Sequence, residues 1–235
     1  MAQGEGIRMK ARRGRRPPAL PYTAYYPVFL DLRARRCVVI GTGEGVEGKV
    51  RVLLEAGAQV TVITQCPSPG LLDRAQAGSI ALLQRSYREG DLRGAFLAIA
   101  ATTADYTLSQ RIAQEAQREG VLLNVVDTPD LCTWIAPAIV RRGALTVAVS
   151  TNGLSPAVAH FIRERLERLL PQDWGVLLDL VARARREVRR RGVHPSPEVW
   201  QKALDEETLR MATAQQWEAV WERLLHHLTN RQEEV

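Results

Sequence analysis

Apolar positions along this chain follow two rhythms, short β-branched runs and stretches with a period near 3.6, and their alternation predicts a layered α/β fold. Cys37 to Ile40 is a short apolar run closed by glycine, the pattern of a buried strand. Val46, Val50, Leu53 and Leu54 then recur at helical spacing with Glu47, Lys49, Arg51 and Glu55 between them, and Gly57 supplies the stop. Gln59 to Thr64 is the next strand, Pro67 to Gly78 holds a short helix, and Ile80 to Leu83 is a third strand. Ala95 to Ala101 reads as a fully buried strand. Leu108, Ile112 and Ala116 mark a helix that Gly120 ends, and Val121 to Val126 is a fifth core strand. Ahead of all these, Tyr26, Val28, Leu30 and Leu32 alternate as an edge strand does. The spacing predicts a Rossmann-like, doubly wound parallel sheet over residues 25–133.

From Trp134 the rhythm changes. Ala138 to Arg141 and Leu145 to Val149, joined through Arg142 and Gly143, have the spacing of an antiparallel hairpin, and residues 134–156 form a hairpin segment. Ser155-Pro156 is a helix-start signal ahead of an apolar face of Val158, Phe161, Ile162, Leu166 and Leu169, and Pro171 breaks that helix. Trp174, Leu177, Leu178 and Val181 begin another, and Trp217, Val220, Trp221, Leu224, Leu225 and Leu228 make a third stripe. Residues 157–235 are therefore a small helical domain. The hairpin and the helix faces expose more apolar surface than so short a tail covers, which predicts a homodimer through the hairpin segment.

Composition changes this picture in one place. The net charge of +6 sits almost wholly in residues 1–24, where Arg8, Lys10, Arg12, Arg13, Arg15 and Arg16 face Glu5 alone. This stretch reads as a disordered basic leader, or as sequence ahead of the true start, and the remaining chain is near neutral, so no nucleic-acid partner is expected. With 46% hydrophobic residues in 235 the chain buries a proper core, yet no apolar run reaches the roughly 18 residues of a membrane span. Cys37, Cys66 and Cys132 lack metal or disulfide spacing, which suits a cytoplasmic protein with free thiols.

Candidate chemistry lies at the carboxyl ends of the strands, where ligands sit in open α/β sheets. Gly41, Thr42, Gly43, Glu44 and Gly45 form a glycine-crowded turn between strand and helix, suited to a dinucleotide pyrophosphate held by backbone N–H groups. Gln65 and Cys66 follow the second strand in place of the usual acidic residue, and no Arg or Lys comes before Arg74, which leaves NAD and NADP open at this point. Thr102, Asn124 and Asp127 complete the rim. Asp127 is the one carboxylate ending a core strand; it reads either as a general base or as a turn former ahead of Thr128-Pro129. Ser150, Thr151, Asn152 and Ser155 form a polar segment suited to carboxylates or to ordinary helix capping, and Arg141 and Arg142 face either acidic groups or solvent. Lysine is scarce, with only Lys10, Lys49 and Lys202, so no Tyr-x-x-x-Lys reductase pair exists; Lys49 reads as a solvated residue or a structural ion-pair partner. His160, His194, His226 and His227 make no zinc-binding pair.

Several blocks in order carry a resemblance: YYPVFLDLRARRCVVIGTGEGVEGK, LLEAGAQVTVIT, AFLAIAATT, NVVDTPDLCTWIAPAIVRRGALTVAVSTNGLSP and LLP. Together, from about Tyr25 to Pro171, they resemble precorrin-2 dehydrogenase, the dehydrogenase/chelatase module of siroheme synthase. The resemblance implies NAD-dependent oxidation of precorrin-2 to sirohydrochlorin by an intertwined homodimer. It implies Asp127 as the catalytic aspartate, and Gly41 to Gly45, Gln65 and Cys66 around the cofactor. Asn124, Trp134, Arg141, Ser150, Thr151, Asn152 and Ser155 are the candidates for holding the acidic macrocycle. Where the family has a loop glycine, a Val-Ala pair and an arginine, this chain has Thr42, Gly45-Val46 and Gly48. Thr103-Ala104 replaces a pair of aspartates, Ser109 an asparagine and Leu154 a lysine. Two alternatives stand beside this reading: a bifunctional enzyme that also inserts Fe²⁺ or Co²⁺ with Asp127 as a ligand, and a non-catalytic sensor of NAD or a tetrapyrrole.

Overall fold

The computed structural model describes residues 23–229, so the basic leader lies almost wholly outside the described residues. Five strands, β1 (Arg36–Gly41), β2 (Gln59–Ile63), β3 (Ala81–Leu83), β4 (Leu97–Ala101) and β5 (Leu122–Val125), form one sheet in the order β3-β2-β1-β4-β5, every pair parallel. Side chains of β1 alternate between two cores, as strand geometry requires. Cys37 and Val39 join Val46, Val50 and Leu53 of α1 (Glu44–Glu55) and Leu71 of α2 (Pro69–Gln76) on one face. Val38 and Ile40 join Ile112 and Ala116 of α3 (Tyr106–Glu119) on the other. The sheet is thus doubly wound, and its order reverses between β1 and β4.

The helix ends are cut where the sequence places glycine. After α1, Gly57 takes φ 76°, its N–H bonds the Leu54 carbonyl at 2.9 Å, and the Ala58 N–H bonds that of Leu53 at 3.1 Å, a Schellman closure. Asp105 caps α3 by accepting the Leu108 N–H at 2.8 Å, and Gly120 ends it at φ 67°. A buried Glu115 on α3 accepts the Tyr87 hydroxyl and, at 2.8 Å, the Leu92 N–H, fastening the loop between β3 and β4 to the helix.

Residues 25–32, expected as an edge strand, are not one. They run without regular structure, with Phe29 76% exposed, and only Leu32 enters the first core. The physical reason is burial: Tyr26, Val28, Phe29 and Leu30 are all exposed, so neither face of the run is covered as a strand's apolar face must be, and no described strand pairs with it.

Beyond the sheet, β6 (Ala138–Arg142) and β7 (Leu145–Val149) pair antiparallel across Gly143-Ala144, so Arg142 belongs to the strand rather than the turn. Helix α4 (Pro156–Leu169) packs on β6. Four further helices, α5 (Trp174–Arg190), α6 (Pro197–Ala203), α7 (Glu206–Thr213) and α8 (Trp217–Thr229), enclose a third core of Leu177, Leu180, Ala184, Val220, Leu224 and Leu228.

Candidate functional site

Gly41 ends β1 opposite Ala101 of β4, at the point where the strand order reverses. A Cβ on Gly41 would stand 2.3 Å from the Ala101 carbonyl oxygen, and its φ is 137°, so the crossing admits glycine alone. Gly43 follows at φ 92° and caps α1 without a side-chain hydrogen bond, while Cβ atoms on Gly43, Gly45 and Gly48 would meet open space. The start of α1 thus has no side-chain cap and three glycines that leave room for a ligand to approach the backbone, which fits a pyrophosphate. Thr42 is exposed in this turn and Glu44 is the first residue of α1.

The other rim residues differ in what they offer. Gln65 and Cys66 are exposed after β2, and the Cys66 N–H bonds the Thr64 hydroxyl at 3.3 Å. The loop they open is fastened to α1 by Ser68, whose hydroxyl donates to Glu47. Thr102 is buried and its hydroxyl pairs with Ser109 at 2.7 Å, so its side chain braces the start of α3.

A cleft of about 370 Å³ opens where β5 ends, between the sheet, the hairpin and the start of α4. Asp127 lines it, exposed, at φ 56°, and its carboxylate accepts no hydrogen bond from any described residue. The turn that carries it is clamped from behind. The Cys132 sulfur accepts the Val125 N–H at 3.1 Å, and its S–H points at the carbonyls of Val125 (3.3 Å) and Thr128 (3.4 Å). Burial pushes the Cys132 thiol up, which keeps it protonated as this clamp requires. Asn124, a strand residue, donates to the Trp134 carbonyl at 3.2 Å and borders the cleft from below.

Of the remaining candidates, Ser150 and Thr151 line the cleft. The Ser150 hydroxyl accepts the Asn152 N–H at 3.0 Å, and Thr151 exchanges bonds with the Ser155 N–H (3.1 Å) and carbonyl (3.0 Å). Ser155 caps α4 through the Val158 N–H at 3.3 Å. Asn152 and Ser155 lie outside the cleft lining, Asn152 at φ 53° in the turn. Trp134 packs against the first core instead, its indole N–H buried without an acceptor. Arg141 points back to the sheet domain and pairs with Glu55 of α1 at 3.1 Å. Arg142 is buried and donates to the carbonyls of Leu170 (2.7 Å), Glu167 (2.8 Å) and Arg141 (2.9 Å), closing the carboxyl end of α4.

The two basic lining residues, Lys49 of α1 and His160 of α4, were not singled out from the sequence as site residues. Both sit on helices whose amphipathic pattern alone reads them as solvent-facing; only the docking of hairpin and α4 against α1 brings them together. No group of three or more His, Cys, Asp or Glu side chains able to hold a metal occurs among the described residues.

A parallel sheet that reverses order at a glycine turn, with an uncapped helix start beyond it, defines a Rossmann-type dinucleotide-binding protein. A family model described as "Putative NAD(P)-binding" matches residues 28–138, and one described as "Sirohaem biosynthesis protein central" matches residues 142–169. Siroheme synthase of Nitrosococcus oceani is 39% identical over 182 residues, covering 77% of this chain and 39% of the relative. That of Azotobacter vinelandii is 42% identical over 166 residues (71% and 36%), and that of Nitrosomonas europaea 37% over 209 (88% and 44%). The chain is similar to siroheme synthases and spans less than half the length of these relatives. Its fold is that of SirC, precorrin-2 dehydrogenase, with a TM-score of 0.67 at 23% identity over 83% of this chain and all of that one. Among the described residues no helix is long and apolar enough to cross a membrane.

Proposed function

We propose that this protein is an NAD-dependent precorrin-2 dehydrogenase, acting as a cytoplasmic homodimer. The observation that carries the reading is Asp127: a carboxylate without a partner among the described residues, held just past β5 in a cleft that α1 also borders through Lys49, in a chain similar to siroheme synthases. The reaction removes a hydride and a proton from precorrin-2, and NAD, when bound, takes the hydride, leaving sirohydrochlorin, NADH and one proton. Gly41 to Gly45 and the first turn of α1 hold the pyrophosphate. Gln65 reaches a ribose hydroxyl, and the absence of a basic residue between Thr64 and Arg74 favours NAD over NADP. Asp127 accepts the proton, while Ser150 and Thr151 meet carboxylate arms of the macrocycle.

Assembly as a homodimer is supported by what the hairpin and α4 leave uncovered. The two-stranded sheet has unpaired outer edges among the described residues, and on α4 Phe161 is 54% and Leu169 73% exposed.

The test is one assay: purified protein, precorrin-2 generated in situ, NAD or NADP, then Fe²⁺ or Co²⁺, followed by absorbance. NADH and sirohydrochlorin formed without metal, with NADP bound at least about tenfold more weakly, support the reading. Metal-dependent siroheme would add chelation, for which Asp127 and His160 in one cleft supply a carboxylate and an imidazole. Binding without turnover overturns the dehydrogenase and leaves a sensor.

A further inference from the structure

The cleft holds one acidic lining side chain, Asp127, and two basic ones, Lys49 and His160. His160 is engaged on its own helix, its Nε2 lying 3.1 Å from Arg163 and 3.7 Å from Glu164. Lys49 is half-buried and has no hydrogen-bond or ion-pair partner among the described residues. The helix denies it one: the positions three and four residues away are Val46, Val52, Gly45 and Leu53. Two acids of α1 are committed elsewhere, Glu47 to Ser68 and Glu55 to Arg51 and Arg141. An ammonium that faces a cleft without an ion-pair partner among the described residues is open to a ligand's carboxylate. Lys49 also lies five residues into α1, roughly 8 Å along the axis from Glu44, beyond the first turn that serves a pyrophosphate.

We infer that Lys49 is the substrate anchor of this cleft, its ammonium binding a carboxylate arm of the tetrapyrrole and so fixing the macrocycle between Asp127 and the nicotinamide. The inference rests on the dehydrogenase reading for the identity of the ligand. It also replaces Arg141 as the cation of the site, since the Arg141 guanidinium is neutralised by Glu55.

The experiment titrates sirohydrochlorin and, separately, NAD into the wild-type protein, K49M and K49R, with melting curves to establish that each variant folds. K49M should weaken sirohydrochlorin by about tenfold or more, and raise KM for precorrin-2 more than it lowers kcat, with NAD affinity within about twofold. K49R, which keeps the charge, should recover most of the affinity. Unchanged sirohydrochlorin affinity in K49M overturns the inference, and so does a loss of NAD affinity instead, which would make Lys49 a cofactor ligand. Wild-type turnover with a silent K49M removes the anchor and leaves the dehydrogenase standing. Lys49-dependent binding without any wild-type turnover does the reverse, and no binding to the wild type removes both.

Discussion

Replacing Asp127 by asparagine separates chemistry from fold. The side chain is exposed, accepts no hydrogen bond from a described residue, and sits at φ 56°, a left-handed conformation that asparagine tolerates as well as aspartate. D127N should therefore change stability by no more than about 0.5 kcal/mol, a shift of no more than about 2 °C in Tm for a chain of this size. D127A keeps the same contacts but loses the tolerance of positive φ, about 1–2 kcal/mol, or about 2–8 °C. Both variants remove the proton acceptor, and general-base catalysis contributes about 10²–10⁴-fold, equivalent to about 3–5 kcal/mol of barrier. NADH formation from precorrin-2 made in situ measures the rate, a separate NAD titration measures cofactor binding, and melting curves measure the fold. The expected pattern is two inactive variants that both bind NAD, of which only D127A melts early. A D127N protein oxidising precorrin-2 within about threefold of wild type would refute the base assignment and make Asp127 a turn residue, the proton leaving to solvent or to a substrate carboxylate.

Other perturbations report on the frame around that cleft. G41A places a methyl 2.3 Å from the Ala101 carbonyl at a positive φ and should cost about 3 kcal/mol or more, a fall of about 6–12 °C in Tm; a melting point within 2 °C of wild type would mean the β1–β4 crossing relaxes freely. R142M strips three donors from partly buried carbonyls, two at the end of α4 and one on β6, and should cost about 2–4 kcal/mol in urea unfolding, whereas R141A breaks a half-exposed ion pair and should cost no more than about 1. Asp205 caps α7, and the Thr208 N–H with the Arg223 guanidinium holds its carboxyl down at about 2 against an ordinary 3.8, so its contribution is complete above about pH 4 and is lost as pH falls towards 2. Tryptophan fluorescence of α5–α8 during acid titration should show this loss, and D205N should abolish that part of it. Light scattering at micromolar concentration should give a dimer mass that F161E halves; a fully active monomer would sink the dimer.

The sheet was legible because buried parallel strands carry their own signature, apolar runs closed by glycine, and each of the five expected strands formed within two residues of its expected start. The failures have physical causes. Alternation at 26–32 resembled an edge strand, but a strand needs one face buried, and Tyr26, Val28, Phe29 and Leu30 are all exposed. Helices α6 and α7 escaped notice because seven and eight residues carry too few turns for a periodic stripe. Their signals were local instead, Ser196-Pro197 and Asp205-Glu206 at the two amino ends.

The site divides along the same line. A residue just past a parallel strand's carboxyl end lies on the ligand rim whatever else the chain does, so the rim positions of Gly41 and Asp127 could be read before any packing was known. A cation on a helix face or a hairpin has no such guarantee. Arg141 and Lys49 look alike in sequence, each a basic residue among apolar neighbours, and their fates are set by how the hairpin docks on α1. Docking brings Arg141 against Glu55 and closes the cleft over Lys49 in the same movement. One positive charge is consumed in holding the two segments together and the other is left facing the space they enclose. Any substitution that loosens the Arg141–Glu55 contact should therefore alter the cleft through geometry, without touching a residue that lines it.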